Sequence, residues 1–279
     1  MNNIQAQIEI FEKYGIKTSL NKDNLIIISH YTQPKEATFS ELGINEDELI
    51  QNVVACVGIF DTRNSALTTF PLEAAQEIRL DKDTKITQMP NLKAANKILV
   101  NSKLKKLPKL KAVGSILLEN SCINSLSKLK EAGILIAQNS TLKDLSSLEK
   151  VGKLCIIDCP LEELKELKTA QDIFICSSDE NNKININSLA SLEEVNKLFI
   201  ANSSVKQFPK LKKAEKIALY NCETKNIKSS ICNDVEIQTH ISDEELSEKF
   251  DTFTDWYNSD IMNKSMDILG NFVASQGLA

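Results

Sequence analysis

Apolar positions through the middle of the chain return on a regular beat. The run Leu107-Pro-Lys-Leu-Lys-Ala-Val-Gly-Ser-Ile-Leu-Leu-Glu-Asn-Ser121 lies without a gap over Leu126 to Ser140 and over Leu145 to Cys159. The shared pattern is N-S-x-L-x-x-L-x-x-L-x-x-V-G-x-L-x-I-x. Anchored on its asparagine, it falls at Asn64, Lys82, Ser102, Asn120, Asn139, Asp158, Ser177, Asn202 and Asn221. Self-similarity at such a period is the signature of stacked structural repeats. The copy after Ser177 is longer, and its extra Asp179-Glu-Asn-Asn-Lys183 is polar, as expected of a loop bulging from one coil.

Within each copy the pattern changes period. The pairs Ile116 and Leu118, Leu135 and Ala137, Leu154 and Ile156, Leu198 and Ile200, and Ile217 and Leu219 alternate with a period of two. That alternation predicts a short strand that joins those of adjacent coils in a parallel sheet. Apolar residues then recur at every third position, as in Leu142, Leu145, Leu148 and Val151, or Leu161, Leu164, Leu167 and Ala170. A spacing of three predicts extended or 3-10 arcs rather than α-helix. The glycines at 58, 114, 133 and 152 read as a tight corner before the strand. A degenerate tenth coil is expected through Val235-Glu-Ile237.

The recurring polar anchor reads as a stacked ladder: Asn64, Asn101, Asn120, Asn139, Asp158, Asn202 and Asn221, satisfying backbone groups at the turn of each coil. Asn139-Ser-Thr and Asn202-Ser-Ser also match the glycosylation acceptor pattern, but the ladder accounts for the other positions as well. The seven cysteines are Cys56, Cys122, Cys155, Cys159, Cys176, Cys222 and Cys232; the count is odd and no two form C-x-x-C. Buried free thiols in a reducing compartment are the expectation.

The run from Leu148 to Leu164 resembles the repeat of leucine-rich and receptor-L-domain-like solenoids, and Arg63-Asn64-Ser65 resembles a turn of bacterial proteins that carry many such coils. The resemblance covers roughly residues 53–240 and implies binding to other macromolecules, with no catalytic residue. The standard leucine-rich consensus places its Asn three residues after the last strand leucine; here the gap is two. The expected fold is therefore a single-stranded, right-handed β-solenoid with an α/β N-terminal cap and an α-helical C-terminal cap.

Residues 1–52 lack the repeat. Ile4, Ile8, Ile10, Phe11 and Tyr14 predict a helix, Leu25-Ile-Ile-Ile28 a strand, and Asn45 to Val53 a short helix leading into the coils. The solenoid, about nine or ten coils, occupies 53–240. In 241–279, Ser242-Asp-Glu-Glu245 is a capping box ahead of Leu246, Phe250, Phe253, Tyr257, Ile261, Ile268 and Leu269, one amphipathic stripe enlarged by Trp256 and Met262. That helix either covers the last coil or assembles with a partner. Caps are needed because a terminal coil otherwise exposes its core and an unpaired strand edge.

The outward strand position, three before the anchor, reads Asp61, Arg79, Leu99, Leu117, Ile136, Cys155, Phe174, Phe199 and Ala218. After two charges come seven apolar residues, a stripe roughly 30 Å long at about 4.8 Å per strand. The position two earlier is mostly polar (Lys97, Ser115, Lys153, Asp172, Lys197, Lys216) and forms a rim. Contiguous apolar surface of that extent marks an interaction site unless another element covers it, and the C-terminal helix is the competing cover.

Chemistry is sparse. A net charge of −5 gives no argument for nucleic acid or an anionic membrane, and no run approaches a membrane span. The N-terminus has no secretory-signal pattern, and its Met1 weighs against a signal already removed. His30 and His240 lack neighbours at ligand spacing, and Cys155 with Cys159 is too poor a cluster for zinc. No H-E-x-x-H, G-x-S-x-G, P-loop or G-x-G-x-x-G occurs. The expectation is a non-catalytic, cofactor-free protein-interaction scaffold that binds through the sheet face and resides in the cytoplasm. A homodimer through that face or the C-terminal helix is a second mode of assembly. The alternative is a surface-exposed or exported ligand-binder, an adhesin or effector delivered without a classical signal.

Overall fold

The computed structural model describes residues 3–249 except 81, 101, 102, 163, 187, 188, 225, 226, 229, 230 and 243. A helix, α1 (Asn3–Lys13), precedes two short strands, β1 (Thr18–Leu20) and β2 (Ile26–Ile28), and a second helix, α2 (Glu46–Ile50). The coils follow, one strand each: β3 (Val53–Asp61), β4 (Ala74–Leu80), β5 (Ala94–Val100), β6 (Ala112–Glu119), β7 (Glu131–Gln138), β8 (Lys150–Ile157), β9 (Thr169–Cys176), β10 (Glu194–Ser203), β11 (Lys213–Cys222) and β12 (Asp234–Gln238). A last helix, α3, spans 244–249. The strands form one sheet in sequence order, parallel except for the β1–β2 pair, and the whole is a β-solenoid of about nine turns with short caps.

Inward side chains of each strand stack in two rows. Ile98, Ile116, Leu135, Leu154, Ile173, Leu198 and Ile217 share one, and Val100, Leu118, Ala137, Ile156, Ile175, Ile200 and Leu219 the other. The arcs supply the opposite wall: Leu142, Leu145 and Leu148 are wholly buried, and Ile123, Leu126 and Leu129 hold the same places in the preceding coil with at most 1% exposure. No helix interrupts the arcs among the described residues. Each of these two arcs instead holds a single i→i+3 turn, with the amide of Leu129 donating to the Leu126 carbonyl at 2.9 Å and that of Leu148 to Leu145 at 3.0 Å. A three-residue turn per arc is what brings every third side chain inward.

Two local features differ from the sequence reading. Gly58, Gly114, Gly133 and Gly152 lie within strands, not at corners, and none has a positive φ. A Cβ at Gly133 would sit 2.5 Å from the Gly114 carbonyl oxygen, and one at Gly152 would sit 2.4 Å from that of Gly133. Close approach of neighbouring coils, not backbone freedom, selects glycine there. Within the coils positive φ falls instead at the anchors Asn64, Asn120, Asn139, Asp158, Asn202 and Asn221, at 47–58°, while Asn24, Gly15 and Gly43 adopt it in the N-terminal cap. Left-handed backbone favours Asn and Asp among non-glycine residues, and it aims the amide of Asn120, Asn139 and Asp158 at a carbonyl of the next coil (3.0–3.1 Å). Anchor side chains also bond between coils from Asp158 onward: its carboxylate accepts from the Ser178 amide (2.7 Å) and hydroxyl (2.9 Å), Asn202 Nδ2 donates to the Ser177 carbonyl (2.7 Å) and Asn221 Nδ2 to Asn202 Oδ1 (2.9 Å). Asn101 lies outside the described residues.

The N-terminal cap is continuous with the coils, because β2 pairs in parallel with β3. It is fastened by two acids at the start of α2, whose N-cap is Asn45. Buried Glu46 accepts from Tyr31 Oη (2.5 Å), Ser65 Oγ (2.6 Å), Gln33 Nε2 (2.9 Å) and the Ala66 amide (2.9 Å). Asp47 accepts from both the amides and the hydroxyls of Thr68 and Thr69. Partial burial alone would raise the Asp47 pKa, but those four donors together hold it below the ordinary value.

Candidate interaction surface

The outward row predicted from the repeat is one continuous row across the sheet. Asp61 stands opposite Arg79, Arg79 opposite Leu99, and the register runs on through Leu117, Ile136, Cys155, Phe174, Phe199 and Ala218 to Glu236. The rim is likewise one row, Glu77, Lys97, Ser115, Ile134, Lys153, Asp172, Lys197, Lys216 and Asp234.

The face is divided along its length. Over β3 and β4 it is ionic: Arg63 pairs with Asp61 at 2.6 Å, Arg79 with Glu77 at 2.6 Å, and Lys97 from the rim of β5 approaches Glu77 at 3.8 Å. From β7 to β11 it becomes a second hydrophobic cluster, separate from the core inside the coils. Ile134, Ile136, Cys155, Ile157, Phe174, Cys176, Ala201, Ala218, Tyr220 and Ile241 form it, with Leu117, Phe199 and Leu246 packed against it. Phe174 and Phe199 stack at 4.4 Å between centroids, and Tyr220 tilts against Phe199 at 5.3 Å. Such pairs add stabilisation beyond the area they bury.

The expectation that this row faces solvent holds only in part. Leu99, Leu117 and Phe199 are half-buried, whereas Ile136, Cys155, Phe174 and Ala218 are buried, Phe174 to 1% exposure. Part of the reason is the chain after β12, which turns back over the sheet: Ile241 and Leu246 insert into the cluster. The predicted capping box starts α3, with the Glu245 amide donating to Ser242 Oγ (3.1 Å) and the Ser242 amide to the Glu245 carboxylate (3.3 Å). The remainder of the predicted C-terminal helix, 250–279, lies outside the described residues.

Between α3 and the sheet is a groove of about 530 Å³, floored by Phe174, Phe199 and Ala218 and walled by Lys197, Lys216, Glu245 and Glu248. Asp172 at its edge is largely buried; desolvation raises its pKa against the opposing pull of Lys197 and Lys153. The Tyr220 hydroxyl is buried with no hydrogen-bond partner in good geometry among the described residues, and burial, then the nearby Glu236 carboxylate, raises its pKa. The sequence reading missed the third outward row, Ile157, Cys176, Ala201 and Tyr220, although the same alternation two residues downstream carries it.

Five of the seven thiols are chemically quiet. Burial pushes Cys56 up to about 12 and Cys222 to about 11, and raises Cys155, Cys159 and Cys176 as well. A protonated thiol is a poor nucleophile and a poor metal ligand. Among the described residues no group of His, Cys, Asp and Glu is placed to hold a metal ion, and no helix is long and apolar enough to cross a membrane. No protein-family model, no curated protein and no solved structure matches the chain.

Proposed function

We propose that this β-solenoid is a non-catalytic protein-interaction scaffold, with the outer sheet face from β5 to β11 as its contact surface. The observation that carries the reading is the division of that face. The first coils complete the same solenoid with Asp61, Arg79, Glu77 and Lys97 in the outward rows, so the fold does not require apolar residues there. From β6 onward the same rows hold a stacked aromatic and aliphatic cluster that the interior core does not use. Apolar surface beyond the needs of folding, edged by charge, is characteristic of macromolecular contact sites. The leucine-rich character of the repeat supports the same reading, since solenoids of that kind act through extended sheet surfaces.

The test is a photoreactive residue placed at Leu117, on the face, and in a second version at exposed Lys105, on an arc. After irradiation in the cells that make the chain, Leu117 is expected to give a discrete adduct of higher mass that Lys105 does not. Leu99→Glu, one strand away, is expected to abolish it. Identical adduct patterns from the two positions, or none from Leu117, would refute the assignment.

A further inference from the structure

We infer that the outer sheet face from β7 to β11 is occupied within the same molecule by the chain's own C-terminal segment, residues 250–279, acting as an internal ligand, which leaves Leu99 and Leu117 on β5 and β6 open to a partner. This rests on the reading of that face as a contact surface and adds its regulation. Four observations point to this occupant.

Burial on the face reaches farther than the described covering chain. Ile241, Leu246 and the groove residues of α3 lie against β9, β10 and β11. Yet Ile134 and Ile136 on β7 and Cys155 on β8 are also buried, at 9%, 9% and 2% exposure. These side chains point out of a single sheet, where cover from a second layer adds to that of their neighbours in the cluster.

The chain leaves the described part at the right place. Lys249 lines the groove that Phe174 and Phe199 also line, with 30 residues still to follow. From β10 back to β7 is three strand spacings, about 14 Å. Thirteen residues from Phe250 to Met262 would span about 20 Å as helix. The reach is sufficient.

The segment carries the complementary surface. Phe250, Phe253, Tyr257 and Ile261 follow Leu246 at spacings of three and four, the sequence spacing of a single apolar stripe, and Leu246 itself packs against the cluster. Charge agrees as well: residues 250–279 contain four aspartates and one lysine, and the rim they would meet carries Lys153, Lys197 and Lys216. Glu245 and Glu248 of α3 already line the groove with Lys197 and Lys216.

Native cysteines report on this contact in the full chain. Cys155 and Cys176 belong to the outer cluster, Cys159 to the interior core, and Cys122 is exposed. A short maleimide pulse at low chain concentration, with modified cysteines mapped by peptide mass, is expected to label Cys122 and spare the other three. In the variant Phe253→Glu/Ile261→Glu, labelling of Cys155 and Cys176 should accelerate by about tenfold or more, as local opening of a covering element allows. Cys159 should stay protected, showing that the coils remain folded. Unchanged protection of Cys155 and Cys176 in the variant overturns the proposal. Protection that is lost on dilution, in a chain whose solution mass is a dimer, overturns it in favour of a second copy. Rapid labelling of both thiols in the native chain also overturns it, but leaves the scaffold reading standing; that reading fails separately, on the crosslinking result at Leu117.

Discussion

Replacement of Asn139 separates two physical reasons for the recurring anchor. Its φ of 48° places it in the left-handed region, its side chain is exposed, and its amide donates to the Ile157 carbonyl at 3.0 Å. Among the described residues no hydrogen bond joins its side chain to Asn120 or Asp158 in the flanking coils. If backbone conformation sets the residue type, Asn139→Ala should cost about 1 kcal/mol, the lower end of the left-handed penalty for a residue with a Cβ. Asn139→Val should cost more, because a β-branched residue is a strong outlier there. Asn139→Gly should be nearly neutral, its freedom from the Cβ clash offset by the entropy that glycine loses on folding, about 0.5–1 kcal/mol. In urea titrations with a slope near 3 kcal/mol/M, Ala would lower the midpoint by about 0.3 M and Gly would leave it almost unchanged. The comparison requires equal slopes in all four proteins. A glycine variant as destabilised as the alanine one would refute the backbone account and restore the side-chain amide, hence a ladder, as the reason for asparagine.

Other expectations follow from packing and charge. Leu145→Ala empties a fully buried position in the arc wall and should cost about 2–5 kcal/mol by chemical denaturation; a loss under about 1 kcal/mol would mean that the coils collapse onto the gap. Gly133→Ala pushes a methyl group toward the Gly114 carbonyl oxygen and should destabilise by about 1–3 kcal/mol, whereas an unchanged melting temperature would show that the coils separate freely. Asp47 has a depressed pKa in the folded state, so its contribution is present above the unfolded value and is lost as pH falls through the folded one. Asp47→Asn should therefore be destabilising at pH 7, with the gap closing below about pH 4; a gap that does not change with pH would refute the carboxylate's role.

Much of the architecture was legible in the sequence because a solenoid repeats its local rules. One anchor and a period-two alternation were enough to put Leu99, Leu117, Ile136, Cys155, Phe174, Phe199 and Ala218 in one row, since stacking coils of the same pattern fixes the register. The role of the glycines was not legible, because it depends on a carbonyl one coil away rather than on the local chain. Nor was the burial of Phe174, which depends on where a segment some 70 residues downstream returns, as with Leu246. Glu46 was overlooked for a similar reason: its donors Tyr31 and Ser65 come from different elements on either side of it in sequence, and an acid in a first helical turn ordinarily reads as solvated.

The sequential stacking of the strands has a mechanical consequence. Every strand from β3 to β11 pairs only with the strands of the preceding and following coils, so the ladder of hydrogen bonds runs along the long axis of the molecule. Tension applied between the two ends therefore pulls those bonds open one coil at a time and does not load them together in shear. Each coil that peels away would release about 19 residues, or roughly 65 Å of extended chain. A force–extension trace should then be a low, evenly spaced sawtooth, with one wider step where the coil containing Asp179–Lys183 gives way.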